Sequence, residues 1–214
     1  VVENQPVKGS ITIHKEGEIL VGAEYDTIID RILTAVTGDN RSVRFQYEEA
    51  PLSGAVYHLI ADEDIYTPDN QKDEEGNRKI AVIDGVSATQ GAVVAILTTD
   101  EEGEASVSDL PLGKYRIEEV EAPKGFVLDE EAKQIELTYE DEHTEIVYQN
   151  AELVDERVKT ELSLVKKNSV NEVPVEGATY GVYATVDIVT VDGEILVKAD
   201  SLIESVQTDE EGKA

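Results

Sequence analysis

Residues 110–126 read LPLGKYRIEEVEAPKGF and contain the pattern on which the predicted fold depends. Apolar Tyr115 and Ile117 alternate with charged residues, as expected for a strand with one buried face. Because residues two apart share a face of a strand, Glu119 falls on the same face as these two side chains. The run therefore predicts a half-buried strand whose buried face ends in a carboxyl group.

Two further strands end in the same way, each with one polar residue. Near the start of the chain, Ile11 and Ile13 share a face with Lys15. On a later strand, Tyr148 shares a face with Asn150. The pattern thus predicts an amine, a carboxyl and a carboxamide at the ends of three buried stripes.

Two interpretations of these polar groups remain open. In the simpler one, they lie at strand ends, reach solvent and form an ordinary ion pair beside a hydrogen-bonding Asn. In the other, all three share an apolar pocket, where burial of a charged group is costly and favours the neutral amine and the neutral acid. A neutral amine can attack the carboxamide carbon and form an amide crosslink with loss of ammonia, while the acid moves the proton.

Composition excludes several classes of function. The chain has 214 residues with 18 basic and 47 acidic side chains, a formal net charge of −29. This charge repels nucleic acids and anionic membranes, so we expect no nucleic-acid partner and no membrane insertion. The chain is 40% hydrophobic and has no Cys, so it can bury a core but forms no disulfide or thiolate metal site. We expect no cofactor and no metal.

Most of the chain consists of short alternating runs separated by turn signals such as Asp100-Glu101-Glu102-Gly103. Short strands joined by hairpin turns predict an all-β fold, an antiparallel β-sandwich with loop insertions. Residues 26–38 are the exception, because their Ile and Leu residues have helical spacing between a capping Asp and a terminating Gly. That segment favours a short helix, with a strand as the alternative.

The sequence contains an internal repeat. Three blocks recur in the same order: 7–15 as 158–166, 51–57 as 174–180, and 99–105 as 208–214. We therefore expect the last strand of a preceding repeat at 1–6, a complete domain at 7–152, and the N-terminal part of a second, truncated domain at 153–214. In this scheme Lys166 is the equivalent of Lys15 and Asn4 is the equivalent of Asn150, and we expect neither to be linked. The chain has no Met, and we expect it to be an internal piece of a longer protein.

Three of these segments resemble a known family. Residues 9–15, 110–126 and 147–150 are similar to the lysine strand, the Glu box and the Asn strand of Cna-B-type domains, also called SpaA-like or prealbumin-like domains. These domains are repeats in surface adhesins and pilins of Gram-positive bacteria. The resemblance covers residues 7–152, and its most specific part is the Tyr-x-x-x-Glu-x-x-Ala-Pro-x-Gly-aromatic pattern.

The resemblance implies a self-formed intramolecular isopeptide bond, with Lys15 as nucleophile, Asn150 as electrophile and Glu119 as catalytic acid/base. It implies a structural stalk module on the extracellular, cell-wall-anchored surface of a Gram-positive bacterium, with no enzymatic turnover. Expected partners are neighbouring repeats of the same polypeptide and, through other domains, host extracellular matrix. Because we find neither a sorting signal nor a pilin motif, we prefer an adhesin stalk to a polymerised pilus shaft.

Three alternatives use other parts of the chain. The insertions at 16–50 and 66–97 could form the recognition surface of a ligand-binding adhesin module, which a concave, aromatic-lined patch would favour. A hydrolase with paired carboxylates is the second alternative, although 47 acids make close pairs common by chance. Calcium binding by the acidic loop at 69–76 is the third, but its spacing departs from that of an EF-hand.

Overall fold

The computed structural model describes residues 6–25, 43–68, 71–139, 141, 144 and 146–214. These residues form strands, turns and loops, and no helix occurs among them. The predicted all-β class is therefore confirmed. The helix predicted at 26–38 lies outside the described residues.

The strands are numbered in chain order. They are β1 (Lys8–Tyr25), β2 (Val43–Pro51), β3 (Val56–Ala61), β4 (Val82–Ile83), β5 (Val86–Ser87), β6 (Val93–Thr98), β7 (Glu104–Leu110), β8 (Gly113–Glu121), β9 (Lys133–Leu137), β10 (Ile146–Asp155), β11 (Thr179–Tyr183), β12 (Ile188–Val189), β13 (Ile195–Val197) and β14 (Leu202–Gln207).

The first sheet is organised around β1, which pairs with β10, β7 and β2. β1 and β10 run parallel, from Lys8 opposite Ile146 to Gly17 opposite Asp155. β7 pairs with β1 in the antiparallel sense. The first and last strands of the predicted complete domain thus lie side by side and point in the same direction.

The second sheet has the order β6-β3-β8-β9, and all its pairs are antiparallel. One buried apolar cluster contains side chains of both sheets, including Ile11, Ile13 and Val147 from the first and Leu59 and Ile117 from the second. Two sheets that share one core form a sandwich. The predicted β-sandwich is confirmed: β7 and β1 pair antiparallel, as do all strands of the second sheet, whereas β1 and β10 pair parallel.

The chain divides into two compact units, one formed by residues 1–17 and 49–158 and the other by residues 18–48 and 159–214. This division differs from the predicted boundaries. Residues 18–48, predicted as part of an insertion in the first domain, belong to the second unit. The first unit extends to Val158 and includes all of β10.

The second unit has its own small core. Val43, Ala184 and Val197 are buried there, and Phe45 and Leu196 pack against them. β11 pairs with β14 and β12 with β13, both antiparallel. Since Val43 and Phe45 lie within 16–50, part of that predicted loop insertion is core-forming strand.

The predicted internal repeat is visible as a duplicated hydrogen-bond pattern. The Lys15 amide donates to the Gly103 carbonyl at 2.8 Å, and the Lys166 amide donates to the Gly212 carbonyl at 2.7 Å. The same correspondence holds for the hydroxyl bonds from Thr99 to the Leu52 carbonyl and from Thr208 to the Val175 carbonyl. Equivalent residues of the two copies therefore adopt equivalent local structures.

The described part of the second predicted insertion, 66–97, is mostly regular. Tyr66 bridges to Ile80, and Lys72 bridges to Arg78. β4 and β5 form a small hairpin, and the segment ends within β6, which is an edge strand of the second sheet. The insertion is thus partly built into the sandwich.

Candidate isopeptide site

Lys15 lies on β1, and its side chain shares the buried face with Ile11 and Ile13, as the sequence pattern indicated. The side chain is 1% exposed. Its backbone is held on both sides, because the amide donates to the Gly103 carbonyl and the carbonyl accepts from the Leu52 amide at 2.9 Å. Gly103 has a φ of +73°, and a Cβ there would clash with the Lys15 carbonyl oxygen. The amine is therefore fixed in the core by a turn that requires glycine.

Glu119 lies on β8, where Tyr115, Ile117 and Glu119 alternate with more exposed neighbours. Its carboxyl oxygen Oε1 is 3.2 Å from the Lys15 Nζ. The Tyr57 hydroxyl donates to the same oxygen at 2.9 Å, and the Asp129 amide donates to Oε2 at 2.9 Å. The structure thus brings together the predicted amine and the predicted acid.

The third member of the buried cluster is Asp155, at the end of β10. Lys15 Nζ donates a hydrogen bond to Asp155 Oδ1, and the Asp155 side chain has no exposed surface. Its other oxygen, Oδ2, is buried and has no hydrogen-bond partner among the described residues. A carboxyl carbon, and not a carboxamide carbon, therefore lies next to the amine.

Asn150, the predicted electrophile, does not belong to this cluster. In β10 the buried positions are Val147, Ala151 and Asp155, and Asn150 is exposed on the opposite face. In the parallel register Asn150 lies opposite Thr12 and not opposite Lys15. The predicted meeting of Lys15 with Asn150 is therefore not found, and Asp155 is the residue of β10 whose side chain contacts the amine.

Of the two remaining predicted residues, Lys166 lies in the described part of the chain and has no comparable pocket there. Lys166 is exposed, although its backbone is held in the same way as that of Lys15. Asn4 lies outside the described residues.

The electrostatics of the cluster favour a neutral Asp155. Burial raises the pKa of Asp155, and the Lys15 amine opposes this rise without cancelling it. One amine and two carboxyl groups share a site removed from water, so a second carboxylate would be an unpaired buried charge. Burial and the neighbouring Glu119 also raise the pKa of Tyr57, which therefore stays a phenol donor. Burial thus favours the protonated form of Asp155.

Apolar side chains close the pocket above Asp155. Gly17 is the register partner of Asp155, and a Cβ on Gly17 would meet Leu52 and Phe126 side-chain atoms at 2.7 Å each. The absence of a side chain at Gly17 lets these two residues pack directly over the site. This packing keeps water from the amine and the carboxyl group.

Sequence reasoning missed Asp155 and Tyr57. The signal for Asp155 was present, because counting from Val147 and Ala151 in steps of two leads to residue 155. Counting from Ile146 and Tyr148, which are large and apolar but exposed, selected the wrong face. Nothing in the local pattern of β3 separates Tyr57 from an ordinary core tyrosine.

Fold and site together define a class: a structural β-sandwich module whose first and last strands meet at a buried amine and a buried acid. The family of SpaA prealbumin-like fold domains matches residues 46–152, half of the chain. The chain belongs to this family.

Several solved structures are similar to this chain. The Bacillus anthracis TIE protein is 22% identical, with a TM-score of 0.51, over 97% of this chain and 25% of its own. The minor pilin GBS52 of Streptococcus agalactiae is 19% identical, with a TM-score of 0.39, over 73% of this chain and 48% of its own. The major pilin SpaD of Corynebacterium diphtheriae is 20% identical, with a TM-score of 0.36, over 74% of this chain and 32% of its own.

This chain therefore spans between a quarter and a half of the length of these solved proteins. No curated protein sequence matches it. None of the described residues belongs to a helix with the length and apolar character needed to cross a bilayer.

In the described ranges, His, Asp and Glu side chains do not gather in threes as metal ligands would. In the acidic loop, Asp73 Oδ1 accepts from the amides of Glu75 and Asn77 at 2.9 and 2.8 Å. These bonds stabilise a turn within the acidic loop.

Proposed function

We propose that the chain is a stalk module of a Gram-positive surface protein, locked by a self-formed isopeptide bond between Lys15 Nζ and Asp155 Cγ. One observation carries the proposal: the Lys15 amine contacts both Asp155 and Glu119, and the three side chains are 1%, 0% and 2% exposed. Burying three ionisable groups without solvent is costly. Conversion to a neutral amide removes two of these charges from the core.

The reaction balances with water as the only product besides the amide. The Glu119 carboxylate takes a proton from the Lys15 ammonium, which leaves a neutral amine. The amine attacks Cγ of the protonated Asp155, a C–N bond forms, and a tetrahedral intermediate results. Glu119 then gives its proton to the departing oxygen and takes one from the attacking nitrogen, so the C–O bond breaks and water leaves. The proton taken from the ammonium thus remains on Glu119, which ends protonated, and a single turnover needs no cofactor.

The geometry favours this route because the reacting groups are already in contact. Nζ is hydrogen-bonded to Oδ1, so it lies within reach of Cγ without movement of either strand. Holding two reactants in place replaces a bimolecular encounter by an intramolecular step, and this contributes roughly 7–11 kcal/mol to such reactions. The folded sandwich itself therefore acts as the catalyst.

The bond would join the first and last strands of the first unit across 140 residues of chain. This suits a module that holds other domains away from a cell under tension. Neighbouring repeats of the same polypeptide are the proposed direct partners, and the duplicated hydrogen-bond pattern supports a tandem array. Attachment to a cell wall and contact with host matrix through other domains complete the proposal.

Intact-mass measurement of the whole chain tests the bond. The wild type should weigh one water less than its sequence, and Lys15→Met and Asp155→Ala should each have the full mass. Asn150→Ala is the matched control and should keep the deficit, because Asn150 is exposed. A full-mass wild type would refute the crosslink, and loss of the deficit in Asn150→Ala would restore Asn150 as the electrophile.

Asp155→Asn gives a second test with a different readout. The variant keeps the size of the electrophile and replaces hydroxyl by amine as the leaving group. It should lose ammonia instead of water, so the mass deficit changes by the difference between the two molecules. An unchanged deficit of one water in this variant would place the bond at another acid.

One observation favours the alternative of a ligand-binding adhesin module. A concavity of about 550 Å³ in the first unit is lined partly by Tyr66, Pro68 and Arg78 of the second insertion, with Tyr139 beside them. Aromatic-lined grooves bind extended proline-rich peptides. A polyproline peptide should then shift the tyrosine fluorescence of the wild type but not of Tyr66→Ala, and no shift in either would remove this alternative.

A further inference from the structure

Tyr57 is part of the buried cluster, although neither the fold nor the proposed bond-forming pair requires its hydroxyl. It lies on β3 directly opposite Glu119 on β8, and it is 1% exposed. Its hydroxyl donates to Glu119 Oε1 at 2.9 Å, and the Lys15 Nζ is 5.7 Å from the centre of its ring. A phenylalanine would fill the same space and keep the ring beside Lys15 but would lose the hydroxyl and its hydrogen bond to Glu119.

All three polar contacts of Glu119 come from donors. Oε1 accepts from the Tyr57 hydroxyl and faces Lys15 Nζ, and Oε2 accepts from the Asp129 amide at 2.9 Å. An ionised carboxyl group only accepts, whereas a protonated one must donate from one oxygen. Hydrogen bonds to the charged form favour that form. The contacts therefore select a carboxylate at Glu119.

The groups around Glu119 come from every element packed against it. Lys15 faces it from β1, Tyr57 from β3 and Asp155 from β10, and Asp129 follows β8 in the connecting loop. Among these, Tyr57 is the neutral side-chain donor that contacts Glu119, so it supplies a hydrogen bond without adding a charge. Asp155 has no such donor other than Lys15 in the described structure, and its Oδ2 has no partner.

We infer that Tyr57 is a positioning residue of the crosslinking reaction, which aims Glu119 Oε1 at the Lys15 amine and keeps Glu119 charged so that it acts as the base. The inference rests on the proposed isopeptide bond. It assigns the single proton of the acid pair to Asp155, where a neutral carboxyl group is needed for attack. The second copy of the repeat has Tyr180 at the equivalent position, whereas the neighbouring Val56 is replaced there by Thr179.

The test follows bond formation in the full chain as it is made. Cell-free synthesis is stopped with acid at intervals, and intact mass gives the fraction that has lost water at each of several pH values. Tyr57→Phe should form the bond about tenfold to a hundredfold more slowly than the wild type, because it loses a hydrogen bond to a charged group. Its rate should also reach its plateau at higher pH than the wild-type rate, because the base has lost a hydrogen bond that favours its charged form.

Tyr115→Phe is the matched control. Tyr115 is equally buried, but its hydroxyl donates to the Pro111 carbonyl at 2.7 Å and does not touch the cluster. It should keep the wild-type rate and pH profile. Both substitutions are also placed in the Asp155→Ala background, where no bond can form, and their unfolding is compared there to measure the purely structural cost.

The outcomes separate the two proposals. A wild type that never loses water refutes the isopeptide bond and the role of Tyr57 with it. A wild type that loses water while Tyr57→Phe matches it in rate and pH profile refutes only the role of Tyr57. A slow Tyr57→Phe with an unshifted pH profile also refutes that role, because a loosened core slows the reaction at every pH alike.

Discussion

Glu119→Gln is the substitution that isolates the contribution of the crosslink to stability. It preserves the volume of the side chain and removes the carboxylate that the proposed reaction requires. Lys15 and Asp155 stay in place side by side, so the variant differs from the wild type chiefly in the missing covalent bond. The expected protein has the full mass of its sequence and the same fold.

The size of the effect follows from the length of chain that the bond closes. Lys15 and Asp155 are 140 residues apart, and the chain-entropy relation derived for disulfides gives about 5 kcal/mol for a loop of that length. The first unit has about 130 residues, for which the entropy of unfolding is on the order of 270 cal/mol/K. Dividing the free energy contributed by the bond by this entropy of unfolding predicts that Glu119→Gln unfolds roughly 15–20 °C below the wild type.

Calorimetry measures the difference, and hydrogen exchange of β8 peptides assigns the transition to the first unit. Glu118→Gln is the control, because Glu118 is the neighbouring residue, is 40% exposed and pairs with Arg116. It should keep the mass deficit and unfold within a few degrees of the wild type. If Glu119→Gln has the full mass but unfolds at the same temperature as Glu118→Gln, the loop-entropy reasoning is refuted. If it still lacks one water, Glu119 is not the catalytic group.

Three further predictions concern force, packing and pH. In a single-molecule experiment that pulls on both ends of the chain, the wild type should release no length from between Lys15 and Asp155. Glu119→Gln should release about 45–50 nm, the extended length of 140 residues. Identical force traces for the two proteins would contradict the bond. In Gly17→Ala, a fraction of the molecules should lack the mass deficit, because the added Cβ displaces Leu52 and Phe126 from above the site. If all the molecules still show the deficit, this packing is dispensable. In the Glu119→Gln background, burial still raises the pKa of Asp155, so the folded state holds the Asp155 proton more tightly than the unfolded state does. Urea unfolding should therefore show that the free energy of unfolding falls as the pH rises above the ordinary aspartate range. If the same fall with pH remains after Asp155→Ala is added, Asp155 is not its source.

The sequence was sufficient for the features that depend on local alternation. Ile11 and Ile13 place Lys15 correctly, and Tyr115 and Ile117 place Glu119 correctly, because in both strands the large apolar residues are the buried ones. The internal repeat was also readable, since equivalent blocks keep the same backbone hydrogen bonds. Each of these inferences uses only neighbours within a strand or a turn.

The features that sequence could not give depend on pairing between distant strands. Ile146 and Tyr148 are 43% and 67% exposed although they are large and apolar, whereas the smaller Val147 and Ala151 are buried. In the structure β10 continues to Asp155, which lies opposite Gly17 in the parallel register with β1. The strand thus extends three residues beyond the predicted domain end at 152.

Parallel pairing of β1 and β10 also decides how a crosslinked module would carry load. Tension that enters at Lys8 passes along β1 to Lys15, crosses the bond to Asp155 and leaves toward Val158, so no more than the segment before Lys15 can be pulled from the sheet. Residues 18–48 lie inside the closed loop and are shielded, yet they belong to the second unit together with residues 159–214, which lie outside the loop. In the second unit, force therefore acts on residues 159–214 alone, and any length that this unit releases under load must come from that segment.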